Sequence, residues 1–130
     1  MNFASIQTSF FLFFTVLMIS CDSPVAPYCE KVGDCSTKNC DYTEEVCTVY
    51  AEGKAQECFA DISADLKALS LSDDAKCQDC SDAYQKRLDC AALLNSCAAF
   101  DKAFWFNGDC DEETEDYVEA CRGTFDDCLK

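Results

Sequence analysis

Cysteine constrains this chain more than any other residue. There are 13 in 130 residues, with no histidine anywhere. Small secreted domains use such a density of cysteine to restrict the unfolded chain where a large apolar core is not available. The apolar supply here is thin: beyond residue 21, Leu, Ile, Val and Phe number 18 in 109 positions, against a formal charge of −15. In a reducing compartment that balance favours disorder, because too little apolar surface can be buried to offset backbone entropy. Covalent cross-links reverse the expectation.

An odd number of thiols cannot pair completely, so parity bears on where the mature chain begins. Residues 1–21 carry no charged side chain, and the stretch from Phe10 to Ile19 is apolar except for Thr15. Ten residues rise only about 15 Å as a helix, half the hydrocarbon thickness of a bilayer, so the segment is predicted to be a secretory signal, although no Lys or Arg precedes it. Removal after Cys21 leaves twelve cysteines able to pair fully: Cys29, Cys35, Cys40, Cys47, Cys58, Cys77, Cys80, Cys90, Cys97, Cys110, Cys121 and Cys128. Two alternatives are a cut before Cys21 that exposes an acylated cysteine, and retention of Cys21 as a free or intermolecular thiol. The expected organisation is a signal peptide over 1–21, an irregular disulfide-tethered segment over 22–39 punctuated by Pro24, Pro27 and Gly33, and a disulfide-stapled helical domain over 40–130.

From residue 40 onward the cysteine and apolar positions take a helical period. Asp41 with Glu44 three residues on predicts a capped start. Cys47, Tyr50, Cys58, Ile62, Leu66 and Leu69 then recur at steps that keep them on one face. Gly53 lies inside this run, where it either divides the helix or costs about 1 kcal/mol. Residues 70–74 carry caps and no period, and predict a turn. A second helix is predicted from Asp74 to Ala99, with Cys77, Cys80, Tyr84, Leu88, Ala91, Leu94 and Ala98 inward and Cys90, Leu93 and Cys97 widening the stripe. So broad an apolar arc packs on two sides, which makes this the central element. Asn107 and Gly108 predict a turn. A last helix is predicted over 112–128, with Asp111 as N-cap, acidic residues in its first turns, and Tyr117, Cys121, Phe125 and Cys128 inward. The fold class expected is all-α: a small disulfide-rich bundle of three to five helices with an irregular N-terminal segment.

Cysteine spacing supports the helical reading. Cys40 and Cys47, Cys90 and Cys97, and Cys121 and Cys128 are seven apart, while Cys47 and Cys58, and Cys110 and Cys121, are eleven apart. On a helix such pairs share a face about 10 to 16 Å apart, too far to bond to each other. Each is therefore expected to reach a neighbouring helix, giving a ladder that joins antiparallel neighbours at two levels. Spacing leaves the connectivity itself open.

Little in the sequence points to catalysis. Without histidine there is no Ser-His-Asp triad and no Cys-His pair. Carboxylates alone could hydrolyse a glycoside, but with 25 acids no pair stands out. They are expected to be solvated helix faces, and the chain is expected not to be an enzyme and to carry no cofactor. Zinc is disfavoured because only Cys77 and Cys80 have local ligand spacing. A redox role for that pair is disfavoured because Asp73, Asp74, Asp79 and Asp82 oppose the thiolate, so the two are expected to bond to different partners. The acidic run over 107–116 offers hard oxygen donors without the pattern of an EF-hand. Helix capping accounts for it, and whether residues 109–116 bind calcium stays open.

The charge disfavours nucleic acid and anionic membranes, and no stable membrane insertion is expected of the mature chain. An extracellular protein with a basic surface would be drawn in. Phe104, Trp105 and Phe106 are the candidate binding residues, since three consecutive aromatics cannot all face one side of a helix. In so apolar-poor a chain the favoured expectation is nevertheless that they close the core near the final turn, and Tyr28, Tyr42 and Tyr50 are read the same way. In general character the chain is similar to small helical cysteine-rich secreted proteins such as ciliate pheromones and the helical cysteine-rich modules of growth-factor receptors, with no shared motif from which residue roles carry over. The function class expected is a secreted interaction protein, whether signal, effector or receptor-binding module. The alternative is an extracellular carrier of a small hydrophobic ligand. Oligomeric state is not indicated.

Overall fold

The structure, a computed structural model, describes residues 23–38 and 40–130. The predicted signal peptide and the fate of Cys21 lie outside the described residues. The described chain is an all-α, disulfide-rich bundle whose helices are α1 (Val25–Ser36), α2 (Glu44–Leu71), α3 (Ala75–Ala92), α4 (Cys97–Asp101), α5 (Asp111–Cys121) and α6 (Phe125–Cys128). These are six helices against the three to five expected, and two of them, α4 and α6, are single turns of five and four residues.

The largest departure from expectation is α1, which occupies most of the segment read as irregular. Pro24 stands at its N-cap and Pro27 in its first turn. There a missing N–H costs nothing, because the first amides of a helix have no intrahelical acceptor, so these prolines start a helix where they were read as breaking one. Gly33 is buried against α2, and a Cβ on it would lie 2.6 Å from the carbonyl oxygen of Ala51. The two helices approach so closely that only glycine fits.

Other helix ends also move. Thr43, not Asp41, caps α2, its hydroxyl accepting from the Val46 amide at 3.4 Å. Gly53 does not divide α2, which runs unbroken for 28 residues. Asp74 caps α3 as expected, accepting from the Lys76 amide at 2.9 Å. The helix predicted to continue to Ala99 ends at Ala92, because Ser96 caps α4 afresh and Lys31 of α1 donates to the carbonyls of Ala92 and Leu94. A cation satisfying open carbonyls at a helix C-terminus is favourable twice, by hydrogen bonding and by the helix dipole. Leu93 and Ala98, predicted inward, are exposed in consequence. The last predicted helix is divided by Gly123, whose φ of 69° turns the chain between α5 and α6. Its N-cap is Cys110, one residue earlier than Asp111.

All twelve expected cysteines pair, as Cys29–Cys58, Cys35–Cys97, Cys40–Cys47, Cys77–Cys128, Cys80–Cys121 and Cys90–Cys110. Cys77 and Cys80 bond to different partners, and together with Cys90 they join α3 to the antiparallel segment from Cys110 to Cys128. The expected ladder therefore exists and has three rungs instead of two. Cys40–Cys47 overturns the rule that cysteines seven apart cannot bond: Cys40 precedes α2, so the chain folds back and brings the two Cα atoms within 6.0 Å.

The core consists of three small clusters, and a disulfide lies in each. Val25, Leu66 and Leu88 surround Cys29, with Cys58 and Ile62 packed alongside. Leu69 packs on the Cys80–Cys121 bridge, and Tyr84, Tyr117 and Phe125 complete that layer. Ala91 and Ala103 enclose Cys110, with Cys90, Phe100 and Phe104 against them. Helix α3 contributes to all three, as a central element must, and it packs on α1, α2, α5 and α6. Taken alone, loop-closure entropy makes the Cys80–Cys121 bridge, whose ends are 41 positions apart, worth about 4 kcal/mol, against about 2.5 kcal/mol for Cys40–Cys47 at 7. Cys77–Cys128 and Cys90–Cys110 shorten the first loop, and the burial of Cys80 and Cys121 adds the packing that Cys40–Cys47 lacks. The Cys80→Ala/Cys121→Ala variant is therefore expected to lose more stability in denaturant unfolding than Cys40→Ala/Cys47→Ala. Equal losses would mean that neither the longer loop nor the buried position of Cys80 and Cys121 adds stability.

Burial also acts on the tyrosines. The Tyr84 phenol is pushed up to about 12, first by burial and then by Tyr117, Asp65 and Tyr28, with Arg87 opposing. Tyr28 and Tyr117 shift the same way, burial again the main cause. The folded state therefore holds phenol protons that the unfolded chain releases near the ordinary value of 10.0. This contribution to stability is complete below pH 10 and is lost as pH rises toward about 12. Thermal unfolding across that window is expected to show a falling Tm, and Tyr84→Phe is expected to flatten the fall.

Candidate interaction surface

The aromatic run lies on a tight loop over residues 102–110, between α4 and α5. Backbone hydrogen bonds coil it: Trp105 N–H donates to the Lys102 carbonyl at 3.0 Å, Gly108 N–H to Trp105 at 2.8 Å, and Cys110 N–H to Ala103 at 3.0 Å. The Asp111 carboxylate accepts from the Asn107 amide at 3.0 Å, so this residue ties down the loop where it was read as the helix cap. Asn107 adopts φ 60°, which fits the turn expected from its pairing with glycine. At Gly108 a Cβ would come within 2.2 Å of the Lys102 carbonyl oxygen and 2.7 Å of that of Ala103. The Cys90–Cys110 bridge fastens the loop to α3, and fully buried Ala103 seats its base.

The three aromatics divide. Phe104 turns inward onto the Tyr28 ring, with centroids 6.1 Å apart, and the Arg87 guanidinium lies 3.9 Å from its centroid. Arg87 is thereby held between Phe104 and Tyr117, the second ring at 4.6 Å. The ring faces stand in for water around a cation whose Nε is buried without a hydrogen-bond partner. Trp105 and Phe106 point the other way, 64% and 83% exposed. The favoured expectation that all three close the core is correct for Phe104 alone. Tyr28 likewise packs against the core, its ring tilted 45° to that of Phe100 with centroids 5.3 Å apart, whereas Tyr42 and Tyr50 are exposed. Sequence reasoning missed Arg87, since a lone arginine on a helix otherwise rich in lysine and aspartate carries no signal until two rings close around it.

Two large apolar side chains stand on a loop already pinned by hydrogen bonds and a disulfide, so they pay little ordering entropy when covered. Around them Asp101, Asp109 and Glu112 are exposed. Elsewhere, Cys90, Cys110 and Glu113 bring three potential metal donors within 4.8 Å of one another, but the two sulfurs are bonded to each other and offer no thiolate. Asp65 is raised by burial and then by Asp61 one turn away, which is a helix-face pair of like charges. No helix among the described residues is long and apolar enough to cross a membrane. No protein-family model, curated protein or solved structure matches the chain.

Gly108→Ala is expected to force the loop open, because backbone oxygens on three sides leave no room for a methyl group. Limited proteolysis with chymotrypsin should then cut after Trp105 or Phe106 faster than in the wild type, with a lowered Tm. An unchanged cleavage rate would show that the loop is not held as described.

Proposed function

We propose that this chain is a secreted interaction protein, in which Trp105 and Phe106 anchor a protein partner and no catalysis takes place. The observation that carries the reading is the exposure of both side chains on a loop whose backbone is fixed from beneath. Large aromatics at the centre of an interface supply a disproportionate share of binding energy. A monomer this short of apolar residues would gain stability by burying them, yet it presents them to solvent. The small disulfide-rich helical fold is compatible with an extracellular protein, and six bridges give it persistence in an oxidising setting. The charge of −15 favours encounter with a basic surface.

The carrier reading has less support, because a hydrophobic ligand needs an enclosed apolar cavity. The concavity between α1 and α2 is instead an open groove bordered by Glu30, Asp34, Glu44 and Glu52.

The test is expression of the full chain in a secreting eukaryotic cell, followed by crosslinking of the purified protein to extracellular proteins and mapping of the links by mass spectrometry. Intact mass is expected to show removal of the leader and no free thiol. Crosslinks are expected near residues 102–110 and should disappear in Trp105→Ala/Phe106→Ala at unchanged Tm. Retention of the chain inside the cell, or an identical partner set for the double variant, would defeat the proposal.

A further inference from the structure

Helix α2 is apolar on two opposite sides over its N-terminal half. At 100° per residue Ala51, Ala55 and Cys58 face α1, while Val46, Val49, Tyr50 and Gly53 cluster on the far side. Among the described residues no element covers that far side: Val49 is 64% exposed, Val46 and Tyr50 each 50%, and Tyr42, just before the helix, 77%. The Cys40–Cys47 bridge holds the preceding loop against the helix and forms a groove whose wall includes Cys40, Tyr42, Val46 and Tyr50.

Two further features say what fits there. Exposed acidic side chains border the stripe: Asp41 in the wall of the groove, Glu45 and Glu52 on the flank beside Val49, and Glu57 one turn beyond Gly53. The one cation in the stretch, Lys54, is paired with Glu57 at 3.2 Å. A second copy of this chain would bring the same carboxylates into opposition, and an anionic membrane would be repelled likewise. Gly53, in turn, weakens a helix interior, yet a Cβ there would touch nothing within 4 Å. It has no steric role inside this protein. What it creates is a notch in the surface ridge between Tyr50 and Glu57, where another helix can come close.

We infer that this face of α2 is a docking site for a basic amphipathic helix of a partner protein, its apolar stripe laid along Tyr42, Val46, Val49 and Tyr50 and its Lys or Arg flanks set against the acidic rim. Val46 to Gly53 covers two turns, about 10 Å, the length over which such a helix presents anchors at i, i+3, i+4 and i+7. The site shares no residue with the aromatic loop and goes beyond the function proposed above.

The probe is a fluorescent helical peptide of leucine and lysine, with the leucines on one stripe, compared with a scrambled peptide of the same composition by anisotropy at physiological salt. The patterned peptide is expected to bind about tenfold or more tightly than the scrambled one, and Val46→Asp/Val49→Asp to abolish that preference by removing two valine-sized apolar contacts. Simple charge attraction gives the opposite sign, because two added carboxylates would tighten the binding of a cationic peptide. Gly53→Ala is expected to raise Tm while weakening the patterned peptide, and Trp105→Ala/Phe106→Ala to leave binding unchanged. Equal binding of both peptides, tighter binding by the aspartate variant, or a dimer in sedimentation equilibrium that the aspartate variant dissolves would each overturn the inference.

Discussion

The bond between sulfurs on adjacent antiparallel helices is the interaction on which this structure depends. Leu66, Leu69, Leu88 and Val25 are the only Leu, Ile, Val or Phe side chains buried among the described residues. Four such residues cannot hold six helical segments against the entropy of some hundred ordered positions. The bridges act twice. They shorten the unfolded chain's reach, and the buried Cys29, Cys77, Cys80, Cys110 and Cys121 also occupy core volume that leucine or phenylalanine would fill elsewhere. Placing one bridge in each cluster joins the two functions: where the packing is, the cross-link is too.

A core built this way needs few large apolar residues, and those left over stand outside it. Tyr42, Val46, Val49 and Tyr50 line one side of α2, and Trp105 and Phe106 cap the loop over 102–110. Both groups sit beside a disulfide: Cys40–Cys47, which belongs to none of the three clusters, in the first case, and Cys90–Cys110, which lies within the third, in the second. The same chemistry that holds the interior together thus also stiffens two of the places where apolar surface is displayed, Phe59, Leu71 and Leu93 being exposed elsewhere. A backbone already fixed has less freedom to lose when such a surface is covered.

Much of the bundle was legible in the residues themselves. The period of Cys58, Ile62, Leu66 and Leu69 identified the inner face of α2, and Asp74 marked the start of α3. Cys77 and Cys80 were read as structural cysteines with separate partners, and Cys121, Phe125 and Cys128 as inward-facing. All of these follow from the 3.6-residue turn and the reach of a disulfide, which are local rules. The errors came where a local rule met a distant partner. Pro24 and Pro27 look like breakers until the chain around them is helical. The end of α3 depends on Lys31, sixty-one residues from Ala92 in the chain. At the aromatic loop the trio was recognised, but which ring turned inward depended on Arg87 and Tyr28 already being in place.

The sequence by itself determined that twelve of its cysteines pair, that its bulk is helical, and that α3 lies at the centre, because cysteine parity, apolar poverty and helical period are properties of the residues and their spacing. Only the tertiary structure decided which sulfurs meet and which aromatics face solvent. Those outcomes turn on distances between segments far apart in the chain, and many pairings satisfy the same spacing until packing selects one.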